Sequence, residues 1–342
     1  METKPRNPET LCWHSCPTAT TLVIARESGR LSDLFSEEGI SLRYLQDEIG
    51  HPSVKGASGS FSGNYAGLFR FGGDAPPMSA RAHGADTVLV GVIPHKQIKC
   101  IAVAYDSAIR SVKELKGKKV SLTKGFQEGS YFLVSAPYRD FLITMDANGL
   151  SESNVSYVNP SAGIFEDKIT SKPVRSVYNY LNRYAVALLA GETDAIQVNG
   201  TRAAELELSG KARLIYDLSE HPEINAGAQI LTVPGTLARE FPELVKKFLK
   251  MIIETGRWAC GNREEVVKMF AKDAGGSEEE VVRGHSLDFH NHLVPEFSDE
   301  NIVALKRTAA VLNKHEFIDR DFKLEDWMED RFLKDALQEL GD

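Results

Sequence analysis

Long apolar runs are missing from this chain. No stretch of its 342 residues approaches the ~18 consecutive apolar residues of a membrane-spanning helix. The opening ten residues, with Lys4, Arg6 and Glu9 among them, carry no apolar core of a secretion signal, so the expected location is the cytoplasm. Thiols are scarce too. Cys12, Cys16, Cys100 and Cys260 show no C-x-x-C spacing, and Cys12 with Cys16 lacks a downstream Cys/His pair at zinc-finger distance. Reduced thiols are expected rather than disulfides. Positive charge is also short. A formal net charge of −8 with no basic stripe argues against a nucleic-acid or anionic-membrane surface. Gly72-Gly73 and Ala226-Gly227-Ala228 lack the strand–Gly-x-Gly-x-x-Gly–helix setting of a dinucleotide site. His285, His290 and His292 do not share a helix face, and no carboxylate pair completes a set. No cofactor and no metal are expected.

The length suits one large core or about two domains of ~150 residues. Residues 10–15 read as a strand ending at Cys16-Pro17, and residues 18–27 read as a helix that closes at Gly29. Pro17 suits a first helical position. Cys16 is then expected at the positive end of a helix, where a thiolate is stabilised. That is a nucleophile's position, and a small buried hydrophobe fits the local pattern equally. A helix over 31–38 and a strand over 39–45 make the opening β-α-β, which implies a parallel sheet. Residues 50–67 turn to Gly and Ser, a loop that either lines a site or merely connects.

Arg70 follows, in Leu68-Phe69-Arg70-Phe71-Gly72-Gly73-Asp74-Ala75-Pro76-Pro77. Arginine presents a planar fork that matches two oxygens of a carboxylate, sulfonate or sulfinate. Glycine lets backbone N–H groups approach such an anion. A fixed cation, two glycines and a paired-proline stop would make an anion-binding wall, although the same pattern suits a solvated turn. Further on, 87–92 and 100–104 are buried strands, 112–122 is a short helix, Gly stop and strand, and 131–148 and 175–189 are amphipathic helices. A strand over 214–217 leads to a returning strand over 228–233, and the chain is helical from Leu237.

Lys116-Gly117-Lys118-Lys119 and Gly191-Glu192-Thr193-Asp194-Ala195 resemble hallmarks of the periplasmic solute-binding protein superfamily, type II fold, in its nitrate, sulfonate and taurine branch. A second set of residues is similar to the cytoplasmic sulfinate desulfinases of that superfamily. They are Cys16-Pro17 with Glu27-Ser28-Gly29, Arg70-Phe71-Gly72-Gly73 with Pro76-Pro77, Gly256, Trp258-Ala259, Asp288-Phe289, Leu293-Val294-Pro295 and Trp327.

The resemblance implies a two-lobed α/β fold with a ligand cleft between lobes, each lobe built on a mixed, mainly parallel sheet. Lobe I is expected over 1–104 plus 226–342 and lobe II over 105–225. It also implies that Cys16 is the catalytic thiol and that Arg70 with the Gly72 and Gly73 backbone holds sulfinate oxygens. The family's histidine, ten residues before the arginine, falls here on Ser60. A serine is a poor proton donor for a leaving carbon. His51, reached through a longer loop, and His14, on the same strand face as Cys16, are the other candidates for an acid or loop contact. The implied function is a cofactor-free desulfinase-like hydrolase releasing sulfite. The alternatives are a non-catalytic solute-binding protein for a small sulfonate and a decarboxylase on the same scaffold. A small organic anion is the expected partner, and a monomer the expected state.

Overall fold

The computed structural model describes residues 8–16, 19–45, 60–61, 63, 65, 67–128, 131–160, 176–318 and 321–341. The chain opens with β1 (Thr10–Ser15), α1 (Thr21–Glu27), α2 (Arg30–Glu37), β2 (Ser41–Tyr44), β3 (Leu68–Gly73), α3 (Ala75–Ala82) and β4 (Thr87–Pro94). It then crosses to a second sheet through β5 (Lys99–Ala104), β6 (Lys119–Ser121), a hairpin of β7 (Gly125–Glu128) and β8 (Tyr131–Val134), α4 (Ala136–Ala147) and β9 (Ser156–Tyr157). That part closes with α5 (Ser176–Leu189), β10 (Ala195–Asn199), α6 (Gly200–Leu208) and β11 (Ala212–Asp217). β12 (Ala228–Pro234) returns to the first sheet, followed by α7 (Gly235–Glu240), α8 (Pro242–Cys260), α9 (Arg263–Ala274), α10 (Glu278–Gly284), α11 (Asp299–Lys314) and α12 (Arg331–Glu339). Among the described residues no helix is long and apolar enough to cross a membrane.

The first sheet runs β2-β1-β3-β12-β4 and the second β11-β5-β10-β6-β9. Each has two parallel and two antiparallel pairings. The expectation of mainly parallel sheets is thereby corrected: the strands that carry the chain between sheets, β5 and β12, run against their neighbours. The expected boundary at residue 104 also moves. β5 hydrogen-bonds within the second sheet, so the crossing lies at 95–98.

Local chemistry accounts for three other differences. Residues 131–134 form β8 rather than the start of a helix. α4 begins only after Ser135, whose side chain accepts from the Tyr138 backbone N–H at 3.2 Å. Pro76-Pro77 opens α3 instead of stopping a strand, because first-turn residues need no N–H partner. Finally, α1 begins at Thr21, after Thr20 in extended conformation, so the helix is shorter than 18–27.

Phe69 and Phe71 of β3 pack with Leu22 and Ile24 of α1 and Phe248 and Ile252 of α8 in one core, and Phe69 stacks on Phe248 at 4.0 Å. On the other side one continuous cluster joins both sheets. It includes Leu89, Val92 and Ile230 of the first, Ile101, Val103 and Val120 of the second, Phe141 of α4, Leu305 of α11 and Trp327.

A buried ionic knot adds to this junction. Asp74, immediately after β3, pairs with Arg139 of α4 and accepts from Thr308 Oγ1 at 2.7 Å and from the Ala228 backbone N–H at 3.2 Å. Arg139 also donates to Asp140 at 2.6 and 3.0 Å. Gly227, at φ 93°, leaves room for the guanidinium, since a Cβ there would lie 2.3 Å from Arg139 Nη2. Both crossings are pinned as well. The Ile98 N–H bonds to the Gly284 carbonyl at 3.1 Å and the Ser286 N–H to the Lys96 carbonyl at 3.0 Å. Lys99 Nζ donates to Asn225 Oδ1 at 2.7 Å and to the Ala226 carbonyl at 2.6 Å.

Removing one member of a buried ion pair typically costs about 3–5 kcal/mol. Asp74→Ala should therefore lower the urea midpoint strongly, whereas Asp86→Ala, which removes the exposed pair with Arg239, should leave it nearly unchanged.

Candidate active site

β1 and β3 lie side by side and parallel, and their register sets His14 opposite Arg70 and Ser15 opposite Phe71. Cross-strand partners share a face, so His14 and Arg70 project together. Cys16 continues β1 by one residue, held by a bond from its N–H to the Phe71 carbonyl at 3.1 Å. Its sulfur lies over Gly72, where a Cβ would sit 2.4 Å from Sγ and 2.6 Å from the cysteine Cβ. Glycine is required at 72 for space; its φ lies outside the left-handed region.

Arg70 is 1% exposed. Its Nη2 donates to Cys16 Sγ at 3.3 Å and to the Gly73 carbonyl at 2.9 Å, and its guanidinium carbon lies 4.6 Å from the centre of the Phe61 ring. Nε and Nη1 are buried with no hydrogen-bond partner among the described residues. Burial is the strongest influence and pushes the Arg70 pKa down, opposed by the Cys16 sulfur and the Asp74 carboxylate. A buried cation with two spare donor directions is half of an anion site.

His14 Nε2 is 3.9 Å from Cys16 Sγ, and its Nδ1 is buried without a partner among the described residues. Burial, and then the nearby Arg70 charge, lower its pKa to about 3. The ring is neutral.

The structure thus gathers Cys16, Arg70, Gly72, Gly73 and His14. Ser60 is buried next to Phe61, the residue carrying the guanidinium. His51 lies outside the described residues, as does Pro17. The expected helix terminus behind Cys16 is corrected, since α1 starts only at Thr21 and the positive group against the sulfur is Arg70. Of Gly73, the contact seen is its carbonyl on Arg70. Phe61 and Asp74 were missed from sequence. Nothing marks Phe61, whereas an acid between Gly-Gly and Pro-Pro could have drawn notice to Asp74. His285 bonds through Nδ1 to the Val281 carbonyl at 2.8 Å, and His292 bonds to Asp288 at 2.8 Å. No group of three His, Cys, Asp or Glu able to hold a metal occurs among the described residues.

Residues 18–159 match the family described as NMT1/THI5 like. The chain is 27% identical to 2'-hydroxybiphenyl-2-sulfinate desulfinase of Rhodococcus erythropolis over 96% of its own length and 94% of the relative's. It resembles that desulfinase end to end. A solved cysteine-to-serine mutant of DszB in complex with biphenyl-2-sulfinic acid superposes with TM-score 0.75, at 23% identity, over 96% of this chain and 99% of that one. The periplasmic aliphatic sulphonate binding protein SsuA from Escherichia coli superposes with TM-score 0.65, at 20% identity, over 94% of this chain and 92% of that one. The fold is the type II periplasmic-binding-protein fold.

Burial lowers the pKa of His14 to about 3 and of His285 to about 4. On unfolding, both regain the ordinary value near 6.5 and take up protons below it. Their contribution is therefore complete above about pH 6.5 and is lost as pH falls, at about 1.4 kcal/mol per unit for each histidine. Urea midpoints measured from pH 7 to pH 4.5 should fall accordingly, and the double variant His14→Gln, His285→Gln should flatten the decline.

Proposed function

We propose that the protein is a cytoplasmic, cofactor-independent hydrolase of the sulfinate desulfinase kind, cleaving the C–S bond of an aryl or related sulfinate to release sulfite. The observation that carries this reading is the Arg70 fork, which touches Cys16 Sγ with one nitrogen and leaves two others, in a buried setting, without a partner among the described residues. An anion bound to those donors would present its central atom beside the thiol. The likeness to a desulfinase over nearly the whole chain and to a DszB mutant solved with biphenyl-2-sulfinic acid supports a sulfinate as that anion.

The chemistry balances without an electron carrier. Cys16 sulfur bonds to the sulfinate sulfur as the C–S pair withdraws to carbon. The carbon takes up the proton that began on the thiol, leaving hydrocarbon and a cysteinyl–SO₂⁻ species. Water then cleaves the S–S bond, restoring the thiol and giving bisulfite. The protein's part is to desolvate the anion against a fixed cation and to hold the nucleophile in line. We place the anion between the lobes, where β3 ends against α4: a Cβ on Gly73 would lie 3.5 Å from that of Ala136.

A second reading, a receptor that binds a sulfonate without turning it over, draws on the likeness to SsuA. Incubation with biphenyl-2-sulfinate and, separately, alkanesulfonates distinguishes them. Multiple-turnover sulfite and hydrocarbon from the sulfinate are expected, while saturable sulfonate binding with no sulfite from any sulfinate would make the protein a receptor. Losing a charge-assisted partner costs about 2–5 kcal/mol, so Arg70→Ala should cut kcat/KM by at least ~30-fold. Arg70→Lys should also fall well short of wild type, since an ammonium cannot copy the fork.

A further inference from the structure

We infer that His14 is the proton relay of this site, its Nε2 taking the thiol proton as Cys16 bonds to sulfur and delivering it to the carbon that leaves. The inference rests on the desulfinase reading above and names the residue that reading lacks. Three observations carry it. The β1–β3 register puts His14 on the Arg70 face, and Nε2 stands 3.9 Å from Sγ, within reach of a weak S–H···N contact. The ring is 5% exposed, which keeps bulk water from competing for the proton. Nδ1 is buried with no partner among the described residues, so no carboxylate or carbonyl fixes the tautomer, and Nε2 is available as the acceptor.

Ser60, ten residues before Arg70, offers a hydroxyl far too weakly acidic to protonate carbon. The His14 surroundings favour the opposite property. Burial and Arg70 hold the resting ring neutral, so it can accept. Once formed, an imidazolium beside Arg70 is a strong acid, as a carbon acceptor demands. A sulfinate bound to Arg70 offsets the cation that disfavours that imidazolium, which eases its formation further in the complex. The proton count closes. One proton leaves Sγ for Nε2 and then carbon; in the second half-reaction one leaves water for Nε2 and returns to Sγ.

The test uses His14→Gln, whose amide nitrogen reaches the Nε2 position and keeps a hydrogen bond but cannot exchange a proton. With biphenyl-2-sulfinate, kcat should fall by about 100-fold or more, while the dissociation constant from titration calorimetry changes by less than about threefold. Turnover within about threefold of wild type, or parallel loss of binding and turnover, would overturn the relay. Alkylation of Cys16 by iodoacetamide supplies a readout that needs no turnover. Near neutral pH it should slow by about tenfold in His14→Gln and converge with wild type in alkali, where hydroxide supplies the base. If wild type releases no sulfite, the desulfinase reading fails, and identical alkylation profiles would still separately sink the relay. Should His14→Gln not fold, His14→Asn takes its place in both measurements.

Discussion

A guanidinium with almost no contact with water is the constraint around which this molecule is arranged. Taking an ion out of water costs several kcal/mol even after relaxation, and arginine cannot escape by losing its proton. The chain offsets part of that cost with the Cys16 sulfur, the Gly73 carbonyl, the Phe61 ring and the field of Asp74. None of these is a carboxylate bonded to Arg70. Asp74 spends its hydrogen bonds on Arg139, Thr308 and the Ala228 N–H, and supports Arg70 only through its charge. The remaining donors, Nε and Nη1, have no partner among the described residues.

Asp74 also explains why the site is held steadily. It follows directly on Gly72-Gly73 at the end of β3, and its partners come from α4, α11 and β12. The elements that hold Asp74 therefore hold the end of β3, and with it the arginine. Around it, the apolar cluster runs unbroken from Leu89 and Ile230 to Ile101 and Val120. A buried ion pair is weak evidence for net stability, since desolvation and attraction nearly cancel, but it is strict about geometry. The packing supplies the driving force, and the knot fixes the alignment.

How much of this was legible depended on how local each signal was. The β-α-β opening could be read because 10–15 and 39–45 alternate in a half-buried manner with helical spacing between. The return at β12 was equally plain, as 228–233 is an uninterrupted β-prone run. Tyr131–Val134 was misread because an apolar strand running straight into a helix carries no break in composition, and only the Ser135 cap divides them. Cys16 and Arg70 were each singled out from neighbours, but their contact was not deducible from spacing: it joins residues 54 positions apart through the pairing of β1 with β3. Phe61 lay beyond reach for the same reason. The helix dipole assigned to Cys16 failed because an extended Thr20 delays α1, and tertiary charge took its place.

The contact between Cys16 and Gly72 has a consequence for lineages as well as for this molecule. Both the sulfur and the Cβ of residue 16 occupy the volume that any side chain at 72 would need, and the backbone nitrogen of residue 16 is only 3.2 Å from the same point. The two positions cannot drift independently. A descendant that acquires alanine at 72 must first have shifted or shrunk residue 16, and so have given up the sulfur's seat beside the arginine. Backbone conformation at 72 does not itself demand glycine, but the Cβ and backbone nitrogen of residue 16 demand it as well as the sulfur does. Within a set of related sequences, any side chain at 72 would therefore mark a residue 16 displaced from its seat beside the arginine.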